Sequence, residues 1–211
     1  ELDKELEKRG HKFCRYADDC NIYVRSRKAA ERTMRSVTEF LEGPLKLKVN
    51  REKSAADRPW KRKFLGFSFY RARDGIRIRV HKKSIKRVKE KIRKITSRSK
   101  GMSLDYRLLK LSQLIKGWVN YFRIADMKSL ARELDEWTRR RLRMCIWKQW
   151  KKVSTRFRNL TKLGLNRQKA WEFANTRKSY WRTSNSPILA ATITNERLKK
   201  RGYSGFIAEL A

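Results

Sequence analysis

The spacing of apolar residues changes near His81, and this change limits the folds open to the chain. Before His81, apolar and polar residues alternate in short segments such as 45–49 and 76–80, which is the pattern of half-buried strands. After it, apolar residues recur every three or four positions and predict amphipathic helices: Ile85, Val88, Ile92 and Ile95; Leu108, Leu111, Ile115, Trp118 and Phe122; Leu130, Leu134, Trp137 and Met144. The sequence therefore predicts an α+β unit followed by a helical bundle.

Two β-hairpins and an intervening helix are predicted in the first part. Residues 11–16 and 21–24 are rich in strand-forming types and flank a short polar turn. Residues 64–70 and 76–80 flank a second turn that contains Asp74 and Gly75. Between the hairpins, residues 27–41 have helical spacing of apolar side chains and end before Gly43 and Pro44.

Positive charge dominates the composition and restricts the class of partner. The chain has 57 Lys and Arg against 21 Asp and Glu, a formal net charge of +36. A merely solvated surface mixes the two signs more evenly, and a membrane-binding protein concentrates its charge in one tail or helix. Here the basic residues run through most of the sequence, so we expect a nucleic acid partner and no membrane partner.

The cysteines and the hydropathy pattern indicate the cellular compartment in which we expect the protein. Cys14, Cys20 and Cys145 form an odd and scattered set, which fits neither a disulfide framework nor a zinc site. No segment has the length and apolar character of a membrane span, and the first residues lack a signal-peptide core. We therefore expect a cytoplasmic protein in a reducing compartment.

Two adjacent acids, Asp18 and Asp19, lie at the turn of the first predicted hairpin. In so basic a chain, two carboxylates held together repel each other unless cations share the site, which favours divalent metal ions and phosphoryl chemistry. The alternative is an ordinary turn in which the carboxylates bind backbone donors and have no catalytic role.

A basic and aromatic segment between Glu136 and Arg158 is the strongest candidate for contact with RNA. Its cations can neutralise phosphates while indoles stack on bases, and three consecutive arginines are difficult to place in a core. The alternative is that Trp147 and Trp150 belong to the core of the bundle. The basic residues are Arg139, Arg140, Arg141, Arg143, Lys148, Lys151, Lys152, Arg156 and Arg158.

Several of these segments resemble the reverse transcriptase family, and most closely the reverse transcriptase and maturase proteins encoded by mobile group II introns. Residues 13–19 (Phe-Cys-Arg-Tyr-Ala-Asp-Asp) resemble the active-site strand and turn of the family, and residues 47–54 resemble the palm motif that follows it. Residues 64–67 (Phe-Leu-Gly-Phe) resemble the primer grip. Residues 115–122 and 137–143 resemble the thumb, or maturase domain.

The resemblance implies an α+β chain made of a partial reverse transcriptase palm, an all-α thumb bundle and a helical C-terminal segment. The corresponding regions are residues 1–80 for the C-terminal part of the palm, 81–158 for the thumb or maturase domain, and 159–211 for a segment that binds nucleic acid. The implied activity is RNA-directed DNA synthesis with two Mg²⁺ ions, combined with maturase activity in RNA splicing.

The resemblance also implies roles for individual residues. Asp18 and Asp19 would be catalytic and metal-binding, with Asp18 the direct ligand, and Lys53 would be catalytic near the incoming nucleotide. Other residues would contact nucleic acid: Tyr16, Ala17, Phe64, Leu65, Gly66 and Phe67 near the active site, and Lys116, Arg139, Arg140, Arg141, Arg143, Lys148, Lys151 and Lys152 in the thumb.

Implied partners are group II intron RNA, an RNA template with a DNA or RNA primer, target DNA and deoxynucleoside triphosphates, in a bacterial ribonucleoprotein.

Two features of the sequence depart from the pattern of the family. Its first catalytic aspartate would lie upstream of Glu1, and a two-metal site needs that third carboxylate to hold both ions about 4 Å apart. No His-Asn-His endonuclease follows the thumb. We therefore expect a fragment of a longer enzyme that does not polymerise by itself.

Two other functions remain open at this stage. One is a reverse transcriptase without an intron, as in retrons, diversity-generating elements or CRISPR loci, which share the palm. The other is a non-catalytic RNA-binding splicing factor that keeps the palm as a scaffold. An aspartate-bearing palm strand before Glu1 would separate the enzyme from the splicing factor, and ribozyme sequence beside the gene would identify the intron protein.

Overall fold

The structure is a computed structural model that describes residues Glu1–Ala211. It contains eleven α-helices and two antiparallel β-hairpins, which confirms the predicted α+β class. The chain divides into two compact units, Glu1–His81 and Lys82–Ala211. None of the helices is both long and apolar enough to cross a lipid bilayer.

The first unit contains both hairpins and two of the helices. Its elements are α1 (Leu2–Lys8), β1 (Lys12–Tyr16), β2 (Asp19–Tyr23), α2 (Arg27–Glu42), β3 (Phe67–Ala72) and β4 (Gly75–Val80), with a short 3₁₀ turn at Pro59–Lys61. The Ser26 side chain accepts a hydrogen bond from Ala29 N at 3.2 Å, which fixes the start of α2. Strands β1 and β2 pair with each other, and β3 pairs with β4, so both predicted hairpins are confirmed.

The strand predicted at residues 45–49 is absent. Lys46 has a φ of 50°, in the left-handed region that a strand does not use. Leu47 N donates to the carbonyl of Leu41 at 2.7 Å, so it satisfies the end of α2 and has no strand partner. The alternating pattern failed as a predictor because a strand also needs a neighbouring edge to pair with, and sequence spacing does not supply one.

The second unit is entirely helical. Its elements are α3 (Lys82–Ile95), α4 (Leu104–Phe122), α5 (Lys128–Gln149), α6 (Val153–Lys162), α7 (Arg167–Ala174), α8 (Tyr180–Thr183), α9 (Pro187–Thr192), α10 (Asn195–Lys200) and α11 (Phe206–Leu210). Residues of all three predicted apolar faces are buried, among them Ile92, Ile115 and Leu134. The change of spacing at His81 thus coincides with the division between the two units.

A buried carboxylate joins the last residues of the chain to α5. Asp135 is 3% exposed and accepts hydrogen bonds from Tyr203 Oη at 2.9 Å, Phe206 N at 2.7 Å and Ile207 N at 3.0 Å. A Cβ atom on Gly205 would lie 2.5 Å from Asp135 Oδ1, so the approach of the backbone requires glycine there. These contacts hold α11 against α5.

The environment of Tyr203 predicts a loss of stability in alkali. Burial raises the pKa of Tyr203, and the neighbouring Asp135 carboxylate acts in the same direction. An unfolded tyrosine titrates near pH 10, so above that pH the unfolded chain loses a proton that the folded chain retains, and the folded state becomes less favourable. We expect the difference in free energy of unfolding between wild type and Tyr203→Phe to shrink between about pH 8 and about pH 11, measured by urea titration. A difference independent of pH would contradict this assignment.

Candidate functional site

The acidic pair lies at the tip of the first hairpin. The register of β1 and β2 pairs Tyr16 with Asp19, which leaves Ala17 and Asp18 as a two-residue loop. Ala17 has a φ of 49°, a left-handed conformation that a two-residue hairpin loop demands and that is uncommon for alanine. Asp18, Asp19 and Tyr16 are all exposed, and neither acid forms an ion pair with a basic side chain.

An arginine fixes this turn to α1. Arg15 Nε and Nη2 donate to both carboxylate oxygens of Asp3 at 2.5 and 2.6 Å, and Nη1 donates to the carbonyl of Ala17 at 3.1 Å. The hydrogen bonds from Arg15 lower the pKa of Asp3. Because Asp3 takes the positive charge of Arg15, the carboxylates of Asp18 and Asp19 remain available for a cation from solution. Nothing in the spacing of Asp3 and Arg15 indicates a contact, so this pair could not be predicted from the sequence.

The acidic pair is too small to form a metal centre by itself. No group of three or more His, Cys, Asp or Glu side chains in the chain is close enough to hold a metal ion. Mg²⁺ is usually bound by one or two carboxylates together with substrate phosphates and water, and a two-metal site needs further ligands. Asp18 and Asp19 thus fit one side of a magnesium site, and these residues do not complete it.

The predicted primer-grip residues form a tight turn before β3. Phe64 N donates to Phe67 O at 3.1 Å, and Phe67 N donates to Phe64 O at 2.8 Å. The two central residues, Leu65 and Gly66, have φ values of 49° and 87°, as turns of the type I′ class require. His81 N donates to Gly66 O at 2.9 Å and fastens the turn to the end of β4. Gly66 is buried, so its backbone conformation accounts for the glycine there.

Lys53 lies in an exposed turn after residue 50. Its backbone N–H donates to the Asn50 carbonyl and to Asn50 Oδ1, both at 3.2 Å, and its carbonyl accepts from Arg62 Nη2 at 2.7 Å. The backbone is therefore well held while the side chain extends into solvent. A catalytic role for Lys53 stays a prediction.

The predicted contact arginines of α5, namely Arg139, Arg140, Arg141 and Arg143, are half-buried and interact within the protein, which differs from the exposed surface that we expected. Arg140 lies 3.8 Å from the centre of the Trp181 ring and donates to Trp181 O at 3.1 Å. Arg143 donates to Ile193 O at 3.0 Å and to Asn195 Oδ1 at 3.1 Å. Arg139 lies 4.0 Å from the carboxylate of Asp135.

Hydrogen bonds to backbone carbonyls offset part of the cost of burying these guanidinium groups, while Arg140 Nε is buried without a partner. Arg141 donates to Thr96 Oγ1 at 2.6 Å and to Thr96 O at 3.3 Å, beyond the last residue of α3, where helix carbonyls lack partners. Burial lowers the pKa of Arg141 and of Arg143. Their contact with RNA stays a prediction, and it would use only the donor atoms that these internal bonds leave available.

The lysines of the predicted surface are more accessible than its arginines. Lys116, Lys151 and Lys152 are exposed, and Lys148 lies half-buried with its Nζ 5.1 Å from the centre of the Tyr180 ring. None of the four forms an ion pair with a carboxylate. On exposure alone, these lysines are better placed than the arginines to meet phosphates.

Trp147 belongs to the core. It is 1% exposed, with its ring 5.3 Å from that of Phe173 and the Arg156 guanidinium 4.7 Å from its centre. It therefore cannot stack on a base, and the core alternative is correct for this residue. Trp150 is half-buried beside it, with the two ring centres 5.9 Å apart.

The second unit also contains a basic cleft that was not predicted from the sequence, which we call the arginine cleft. It has a volume of about 550 Å³ and is lined by Arg93, Ser97, Arg98, Ser99, Arg141, Met144 and Trp181. A run of basic and serine residues at 97–100 is the signal in the sequence that points to it. Trp181, 40 positions from Arg141 in the sequence, could not have been placed beside it from spacing.

Comparison with protein families gives two matches, one in each unit. Residues 1–69 match the family described as reverse transcriptase (RNA-dependent DNA polymerase), and residues 85–164 match the group II intron, maturase-specific domain. A search of curated proteins found no match. The first match includes the acidic pair and the turn before β3, and the second includes α4 and α5.

Proposed function

Because the chain belongs to the family of group II intron reverse transcriptases and maturases, we propose that it takes part in RNA-directed DNA synthesis and in splicing of intron RNA. The observation that carries the proposal is the presence of both family matches in one chain, each within its own compact unit. In this assignment residues 1–80 are the C-terminal part of the palm, 81–158 are the thumb or maturase domain, and 159–211 are a helical segment that contacts nucleic acid.

The polymerase activity would depend on the exposed acidic pair. Asp18 and Asp19 would contribute carboxylates to a magnesium site that a further carboxylate, outside these residues, completes. Tyr16, Ala17 and the Phe64–Phe67 turn would contact the primer, and Lys53 the incoming nucleotide. The accessibility of both acids and the rigid backbone of both turns support this arrangement.

The maturase activity would depend on the basic side chains of the second unit. Lys116, Lys148, Lys151 and Lys152 would meet phosphates of structured intron RNA, together with the outer donor atoms of the α5 arginines. The remaining proposed partners are the RNA template with its primer, target DNA and deoxynucleoside triphosphates. The resulting ribonucleoprotein would act in the bacterial cytoplasm.

Primer extension on an RNA template tests the polymerase proposal. It is done with the longest form of the protein that the gene encodes and, in parallel, with the 211-residue chain. Extension by the longer form supports the reverse transcriptase assignment. Absence of extension together with stimulated intron splicing would favour the second candidate, a splicing factor that binds RNA without polymerising. The splicing-factor function is supported by one observation: these residues do not include enough carboxylates to form a complete two-metal site.

Salt dependence tests the electrostatic part of the proposal. A protein that neutralises six to ten phosphates loses roughly 10³- to 10⁵-fold in affinity between 50 and 200 mM salt. We expect a loss of that order for intron RNA, measured by filter binding with the chain. A duplex DNA of equal length is the control, because it has the same kind of charge without the folded shape of the intron. An affinity for intron RNA that hardly changes with salt would contradict a basic binding surface.

A further inference from the structure

The arginine cleft has the charge of an anion-binding site. Three guanidinium groups, those of Arg93, Arg98 and Arg141, line it, and no acidic side chain does. None of these arginines forms an ion pair. Three cations gathered in a concave surface raise the local concentration of anions.

The wall of the cleft is held in place from inside the protein. Buried Arg107 donates to the carbonyls of Ile95 and Lys100, at the two sides of the loop that contains Arg98. Arg141 holds the same loop through Thr96. The guanidinium groups of Arg93 and Arg98, by contrast, donate no hydrogen bond to the protein, so their N–H donors remain available to a ligand. The site is therefore preorganised: the guanidinium groups of Arg93 and Arg98 lie 5.5 Å from the ring centre of Trp137 and 5.4 Å from that of Tyr180, with their N–H donors not used by the protein.

An aromatic surface lies beside these cations. The indole of Trp181 lines the cleft, with the guanidinium of Arg140 3.8 Å from its centre. Arg98 and Lys148 lie 5.4 and 5.1 Å from the centre of the Tyr180 ring, next to Trp181 in the sequence. Unpaired bases stack on aromatic rings beside cations that bind the backbone. Arg140 covers one face of the Trp181 indole, so a base at this site would use the opposite face.

We propose that the arginine cleft binds one unpaired nucleotide of RNA, with its phosphate between Arg93 and Arg98 and its base against Trp181. The volume of about 550 Å³ is within the range of roughly 300 to 1,000 Å³ that small-molecule sites occupy. A base in a duplex is stacked on both faces and cannot enter such a cleft, so the site selects a loop, bulge or strand end. The inference rests on the proposed function, because it assumes that the chain binds intron RNA.

The test compares two double variants that remove the same charge. Arg93→Gln with Arg98→Gln alters the cleft, and Lys4→Gln with Lys8→Gln alters exposed positions of α1 that are not among the proposed contacts with nucleic acid. Affinity for a short single-stranded oligoadenylate is measured by fluorescence anisotropy, and the fold is checked by circular dichroism. We expect the cleft variant to bind about tenfold more weakly than the control variant, with a salt slope less steep by about one.

A second probe isolates the contact with the base. An oligonucleotide of the same length without bases should bind wild type several-fold more weakly than oligoadenylate, and this preference should disappear in the cleft variant. Equal weakening in both double variants would overturn the cleft as a specific site, and a base preference that survives in the cleft variant would overturn the stacking contact. Both results leave the proposed function intact if intron RNA still binds. Failure of wild type to bind any RNA would overturn the proposed function and the cleft together.

Discussion

Replacement of Asp18 by Asn is expected to abolish primer extension in whichever form of the protein extends a primer. The change keeps the size of the side chain and removes the charge at the tip of the β1–β2 hairpin. Loss of a carboxylate that holds a catalytic ion removes several kcal/mol of transition-state stabilisation, so the rate should fall at least about 10³-fold. Binding of intron RNA should hardly change, because the proposed binding residues belong to the second unit.

Asp74→Asn is the matched control for this experiment. Asp74 is also an exposed acid at a hairpin turn of the first unit, where it pairs with Arg77 at 2.6 Å. Its replacement should leave extension within about twofold of wild type, since an exposed ion pair contributes little to stability. Asp19→Asn should cause an intermediate loss if Asp19 acts through water or orients the turn. Extension that survives in Asp18→Asn would show that Asp18 is not a catalytic residue.

Replacement of Asp135 by Ala is expected to cause the largest loss of stability. It leaves three donors without their acceptor: Tyr203 Oη, Phe206 N and Ile207 N. Each buried donor that loses its partner costs about 1–3 kcal/mol, so we expect the free energy of unfolding to fall by about 3 kcal/mol or more. For a domain of this size that corresponds to a drop in Tm of roughly 10 °C. Thermal unfolding followed by circular dichroism measures it.

Glu133→Gln provides the comparison on the same helix. Glu133 is exposed and pairs with Lys89 at 2.7 Å, and such pairs contribute at most about 1 kcal/mol. A similar Tm for Asp135→Ala and Glu133→Gln would mean that the last residues of the chain are not held by Asp135. Gly205→Ala should reproduce part of the Asp135→Ala effect, because its Cβ atom would meet the same carboxylate.

Local sequence patterns predicted most helices and both hairpins, whereas tertiary contacts determined which side chains are buried and which predicted strand does not form. The hairpin at Asp18 was predictable because strand-forming residues flank a short turn, and Ile92 and Ile115 were predictable as core from helical spacing. Residues 45–49 were not, since their alternation has no strand edge to pair with. The half-burial of Arg140 and Arg141 depends on Trp181 and Thr96, which lie more than 40 positions away. Sequence spacing has no information on such contacts.

Part of the candidate site was likewise predictable from the sequence, and part was not. The acidic pair and the turn at Gly66 are short, contiguous motifs, so the sequence indicated both. The contact of Arg15 with Asp3 and the positions of Arg93 and Trp181 around one cleft depend on packing of separate elements, and only the structure reveals them.

The bonds of Asp135 also set an order of events during synthesis. Its partner Ile207 is 72 positions later in the sequence, so at 5–20 residues per second the ribosome adds it roughly 4 to 14 s after Asp135. Throughout that interval the carboxylate lacks those three donors, and water or Arg139, 4.0 Å away on the same helix, must take their place. The contacts between Asp135 and α11 can therefore form only after residues 203–207 have left the ribosome. Released chains that end before residue 203 should be more sensitive to proteases within α5 than released chains that extend to residue 211.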